Sequence, residues 1–147
     1  MKDFIGELRV LLGYPRNILL LLIRLALAYG FSGPAILKMN NIEETVTWFT
    51  ELSIPFPSFV AYLVTGFESL GIILLMIGLF TRYISIFLSV VMLGAIFFVH
   101  LPNGFSVANN GVEIPLYYFT FFMLLISYGA GKFSLDRLFF EDGVDHE

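Results

Sequence analysis

Five ionisable side chains stand in a chain that is otherwise strongly apolar: Arg24, Lys38, Glu68, His100 and Glu113. Each lies inside, or at the edge of, a long hydrophobic stretch. A charge at membrane depth costs about 2.5–3.5 kcal/mol on insertion scales, so each needs a partner or a task. Together they offer a guanidinium, an ammonium, an imidazole and two carboxylates. Imidazole is the side chain suited to relaying protons near neutral pH, and a buried carboxylate can join such a relay. The chemistry within reach is hydrogen bonding to a small polar group and exchange of protons with it.

Other chemistries lack their residues. There is no cysteine, which excludes disulfides, thiolate metal sites and iron–sulfur clusters within this chain. Bis-histidine haem needs two axial ligands at membrane depth, and only His100 is placed there, since His146 lies in the tail. No zinc-type ligand spacing and no serine paired with a base can be picked out. No metal and no intrinsic cofactor are expected. The net charge of -4 is small and scattered, so nucleic acid is not an expected partner.

What must position these residues is a membrane domain. The chain has 147 residues, 58% hydrophobic and only 14% charged, against about 25% charged in a soluble domain. So few charges would not cover a globular surface in water, whereas lipid solvates apolar side chains. Four stretches approach the roughly 20 apolar residues that a spanning helix needs: 18–37, 59–80, 83–101 and 114–130. They do not alternate as barrel strands would. The expected fold is all-α, a single integral membrane four-helix bundle over residues 1–147, with short interfacial helical segments at 1–14, 41–54 and 133–140. Thr81-Arg82 reads as a tight turn that makes the second and third spans antiparallel neighbours. Gly30, Gly33 and Pro34 are expected to bend or loosen the end of the first span. The first apolar run is too long for the core of a cleavable signal and lacks a small-x-small site.

Lysine and arginine set the orientation. Lys2, Arg9, Arg16, Arg82, Lys132 and Arg137 fall on one side and Lys38 on the other, beside Glu43, Glu44, Glu51 and Glu113. Both termini are therefore expected in the cytoplasm, with 39–58 and 102–112 outside.

Helical spacing gathers the polar residues. Arg24, Ala28, Phe31, Ala35 and Lys38 form one stripe; Ala61, Glu68, Gly71 and Gly78 form another; Glu113, Tyr117, Thr120 and Ser127 form a third. Small residues beside the charges permit close helix approach, so these stripes are expected to face inward. At 1.5 Å per residue, Arg24 lies roughly 9 Å and Glu68 roughly 16 Å from the cytoplasmic edge. That spacing predicts an Arg24–Glu68 pair deep in the bundle and an outward mouth formed by Lys38, His100 and Glu113. Each residue also has a structural reading. The deep pair would fix helix register, Lys38 would snorkel, Glu113 would complement a helix dipole, and His100 would bond backbone. Arg16, Arg82, Lys132 and Arg137 read as topology determinants; Trp48, Tyr62 and Tyr83 read as belt or packing aromatics.

In this order and spacing the residues resemble the DoxX family of small four-helix bacterial membrane proteins. The resemblance covers nearly the whole chain. It rests on Arg24-Leu25-Ala26-Leu27 followed by Gly33 through Lys38, Ile54-Pro55-Phe56-Pro57, Glu68-x-x-Gly71 and Gly78-Leu79-Phe80-Thr81-Arg82. It continues through His100-Leu101-Pro102-Asn103-Gly104-Phe105, Gly111-x-Glu113-x-Pro115-Leu116 and Gly131-x-Phe133-Ser134-Leu135-Asp136. The family takes its name from similarity to DoxD, a membrane subunit associated with terminal quinol oxidase and thiosulfate:quinone oxidoreductase activity. Other relatives are linked to oxidative-stress complexes at the membrane.

The resemblance and the inward charges together imply a membrane subunit of a redox system. Its expected ligand is a quinone or similar small polar-headed molecule, held by Arg24, Lys38, Glu68, His100 and Glu113. Such a quinone-linked oxidoreductase subunit would not be active alone and would work with a redox protein partner or as a homo-oligomer. The alternative is a membrane scaffold that recruits soluble redox or stress-defence enzymes, its buried charges purely structural. A small-solute transporter is a third reading and would need an oligomer to enclose a path.

Overall fold

Long apolar stretches with helix-compatible joints leave the backbone one economical solution in lipid, which is to satisfy its own hydrogen bonds within each segment. The computed structural model describes residues 2–13 and 15–140. The acidic end of the chain, with His146, lies outside the described residues. Helix α1 (Lys2–Gly13) precedes α2 (Arg16–Asn40), α3 (Ile42–Glu51), α4 (Pro57–Ile77) and α5 (Thr81–Ala95). A π-helical turn, Ile96–His100, and a 3-10 turn, Leu101–Asn103, extend α5, and α6 (Glu113–Tyr128) and α7 (Leu135–Phe140) complete the order. The fold is all-α, an integral membrane four-helix bundle with short flanking helices. Helices α2, α4 and α5 with its extension are long and apolar enough to cross a membrane; α6, at 16 residues, is shorter.

The four long helices pack in sequence order, α2 on α4, α4 on α5 and α5 on α6, each antiparallel to the one before. Their shared core is Leu27, Ala28, Phe31, Leu75, Leu88, Phe122 and Leu125. Phe31 of α2 meets Tyr118 and Phe122 of α6, with ring centroids 5.6 Å apart in each pair. Gly71 brings α4 onto α5, since a Cβ there would lie 2.7 Å from Leu88 Cδ1. Outward, Leu22, Ile36, Ile73, Met76 and Phe97 are exposed, an apolar belt that water would not tolerate and lipid does. In α1, every residue from Phe4 to Gly13 is exposed, so that helix buries none of these side chains against the bundle.

Several local expectations need correcting. The reversal between α4 and α5 uses Gly78 and Phe80, both with left-handed backbone, and Thr81 and Arg82 already belong to α5. The bend or loosening expected at Gly30, Gly33 and Pro34 does not end α2, which continues to Asn40. The buried face of α6 is Pro115, Phe122 and Leu125, and the stripe Tyr117, Thr120, Ser127 faces outward. Two hydroxyls on that stripe tolerate lipid because they are bonded locally: Thr120 Oγ1 to the Leu116 carbonyl at 2.9 Å and Tyr117 to Glu113 at 3.2 Å.

Candidate functional site

Arg24 is fully buried, and it does not meet Glu68. Its Nη1 donates to the carbonyl of Leu75 at 2.9 Å and, more weakly, to that of Met76 at 3.5 Å. Its Nη2 donates to the carbonyl of Phe133. The first two belong to the last turn of α4, where carbonyls have no partner within the helix and the dipole favours a cation. The third belongs to the segment that leads into α7.

An acid completes the arrangement. Asp136, also buried, accepts from the backbone N–H of Phe80 at 2.6 Å and of Thr81 at 2.9 Å. Those are free donors at the start of α5, so a side chain remote in sequence plays the N-cap role. The Asp136 N–H in turn donates to Gly78 O at 2.8 Å. Gly78 is required twice: its φ is +69°, and a Cβ would meet both Arg24 Nη1 and the Ser134 side chain at 2.5 Å. Lys132 N donates to Asn17 Oδ1 at 2.9 Å. The Arg24 end is thus a clamp in which α7 and its lead-in tie α2, α4 and α5 together.

At the other end, Lys38 takes the partner that was expected for Arg24. Its Nζ lies 2.6 Å from Glu68 Oε2. Glu68 is buried, and Lys38 is somewhat more open. The physical reason for the exchange is side-chain direction. Helical side chains lean toward their own N-terminus. In antiparallel α2 and α4, that lean carries Arg24 away from Glu68 and toward the end of α4. The same lean carries Lys38 inward while Glu68 reaches outward to meet it.

The pair borders a cavity of about 1250 Å³ between α2, α3, α4, α5 and α6. Its walls are mainly apolar and aromatic, among them Phe31, Trp48, Phe67 and Tyr118, and His100 also lines it. Gly30 makes room for Tyr118, whose hydroxyl occupies the place of a Cβ on α2. Phe67 and Phe87 stack at 4.5 Å where α4 and α5 begin to frame the space. Of the five residues singled out from sequence, Lys38, Glu68 and His100 meet here. Arg24 lies in the clamp. Glu113 stands off the cavity wall and braces the loop, accepting from Val107 N at 2.8 Å and from the Tyr117 hydroxyl at 3.2 Å. Among the described residues no three His, Asp or Glu side chains gather as a metal-binding group.

Asp136, Trp48 and Tyr118 were not singled out as site residues from sequence. Asp136 stood within the Gly131-x-Phe133-Ser134-Leu135-Asp136 run, but only the fold shows that its carboxylate caps α5. The two aromatics carry no signal that separates a cavity wall from ordinary packing.

The DoxX family description matches residues 19–101, which hold Arg24, Lys38, Glu68 and His100. A Haemophilus influenzae protein named only "Uncharacterized protein" is 31% identical over 134 residues, 86% of each chain. A second from the same organism, likewise named, is 43% identical over 77 residues, 50% of this chain and 58% of its own. A Bacillus subtilis protein that bears the name "Putative oxidoreductase CatD" is 33% identical over 85 residues, 58% of this chain and 62% of its own. No solved structure matches the chain significantly. With more than half of its length matched, including the arginine clamp residue and the cavity's polar pair, the chain belongs to the DoxX family of membrane proteins.

Proposed function

We propose that this DoxX protein is a binding subunit of a membrane redox system. It takes a lipophilic molecule with a small polar head, and a quinone is the leading candidate. The observation that carries this reading is the Lys38–Glu68 pair at the wall of a large, mostly apolar cavity. Ligand sites are typically apolar pockets of about 300–1,000 Å³ with a few converging polar groups, and this one, larger at about 1250 Å³, has that apolar character. A quinone carbonyl accepts hydrogen bonds, and Lys38 Nζ has three donors, of which Glu68 engages one. The apolar walls suit an isoprenoid tail. The relative named as an oxidoreductase agrees with a redox setting. The redox partner would be a second protein, since the chain's own side chains offer no electron carrier. In this reading the protein sits in the bacterial inner membrane with both termini cytoplasmic and the cavity end outside. Cysteines placed at Asn41 and Asn110 should then react with impermeant thiol reagents from outside, and labelling only from the cytoplasmic side would reverse the orientation.

The test is binding of decylubiquinone to the purified protein in lipid nanodiscs. The wild type should bind saturably. Replacing both Lys38→Met and Glu68→Leu, which removes the polar pair without stranding a charge, should weaken binding tenfold or more. Absence of saturable binding, or equal affinity in the double variant, would instead favour the scaffold reading, for which the exposed apolar α1 provides a contact surface.

A further inference from the structure

The ring of His100 is held at one nitrogen. Its Nδ1 lies 2.8 Å from the Asn110 carbonyl oxygen. A carbonyl only accepts, so Nδ1 carries the hydrogen, and in the neutral ring Nε2 keeps a bare lone pair. Among the described residues, no group bonds Nε2. The carbonyl that sets this tautomer is itself fixed. It also receives Asn103 Nδ2 at 3.2 Å, and Asn110 sits in left-handed backbone with φ 59°. Behind it, the Gly111 N–H donates to Ser106 O at 2.9 Å, and a Cβ at Gly111 would strike the Gly104 carbonyl oxygen at 2.5 Å. On the other side, His100 closes the π-helical turn Ile96–His100. Such a turn holds an extra residue and re-aims the side chains beyond it, a device common at functional sites. His100 reaches the same cavity wall as Lys38 and Glu68.

We infer that His100 Nε2 accepts a hydrogen bond from the bound molecule, so that the site selects a neutral headgroup carrying a hydroxyl over one that offers carbonyls alone. This rests on the binding reading proposed above and narrows its ligand class. Neutrality follows from the pair. Lys38 and Glu68 cancel each other's charge, and a charged head would bring an uncompensated ion into apolar walls. The remaining Lys38 donors address an oxygen of the head, and His100 addresses a hydrogen. A phenolic hydroxyl, as in a hydroquinone, supplies both.

The experiment compares three probes on the protein in nanodiscs, without oxygen and at about pH 8, above the range in which imidazoles ordinarily protonate. The probes are decylubiquinol, its dimethyl ether and decylubiquinone. The wild type should bind the hydroquinone about tenfold more tightly than either the ether or the quinone, which corresponds to roughly 1.4 kcal/mol, within the range of one hydrogen bond. In His100→Ala this gap should close to within about twofold while quinone affinity stays within about twofold. The wild-type comparison needs no variant, so a folding defect in His100→Ala leaves the inference testable. Equal wild-type affinity for hydroquinone and ether would overturn the role of His100 while leaving the binding reading intact. If none of the probes binds, both fall.

Discussion

Arg24 and Lys38 share one stripe of α2 and lead different lives. Arg24 is buried and spent on backbone, bridging the end of α4 and the approach to α7. Lys38 meets a side chain, Glu68, at the edge of open space. The cation at the closed end answers the carbonyls of helix termini, which any sequence would present there. The cation at the other end answers a carboxylate that would not otherwise be buried. A charge fixed by backbone holds the fold. A charge fixed by another charge beside a cavity keeps donors to share.

The comparison breaks most visibly at Arg24. Arg24→Met should strand the carbonyls of Leu75 and Phe133 and leave buried Asp136 without its neighbouring cation, a loss of about 3–5 kcal/mol of the kind seen when a buried charge loses its partner. Arg24→Lys should recover little, because an ammonium cannot reproduce the planar fork. Thermal melting of the purified variants in detergent would measure this, and a wild-type midpoint in Arg24→Met would remove the clamp from the account. A smaller effect is expected from Asp136→Asn, about 1.5–3 kcal/mol, the range for hydrogen bonds to charged groups. A double-mutant cycle should couple it to Arg24, and strict additivity would mean that the two act separately.

At the opposite end, Glu68→Gln should cost about 1–3 kcal/mol, the range for leaving one buried partner unsatisfied. A cycle with Lys38→Met should show coupling, and a cycle between Arg24 and Glu68 should be additive to within about 0.5 kcal/mol. Coupling in the second cycle and not the first would restore the pairing expected from sequence. The smallest effect belongs to Glu113→Gln, which should loosen residues 105–112, seen as faster amide hydrogen exchange there, without changing decylubiquinone affinity. A tenfold loss of affinity would bring Glu113 back into the site.

The inward faces of α2 and α4 were legible because small residues flank the charges: Ala28 and Ala35 beside Arg24 and Lys38, Ala61 and Gly71 beside Glu68. All four small residues are buried. The face of α6 was misread because polar residues were assumed to turn inward. Thr120 and Tyr117 satisfy their hydroxyls within the helix, so polarity there carries no direction. The partner of Glu68 was misread because depth was counted along the helix axis. That count ignores the lean of each side chain, which shifts Lys38 and Arg24 in the same direction while Glu68 moves the other way. The tautomer of His100 depends on a loop carbonyl ten residues away, which no spacing rule reaches.

Helix α6 has 16 residues, about 24 Å of rise at 1.5 Å each. The hydrocarbon layer it faces is about 30 Å thick. A span this short is accommodated by thinning of the lipid beside it, by snorkelling of flanking residues or by packing against another subunit, at a cost of fractions of a kcal/mol per ångström. Ile114, Pro115 and Tyr118 near the start of this helix also line the cavity. In the binding reading, a bilayer thinned beside that wall would shorten the climb of an amphiphile's head from the lipid layer toward Lys38 and His100.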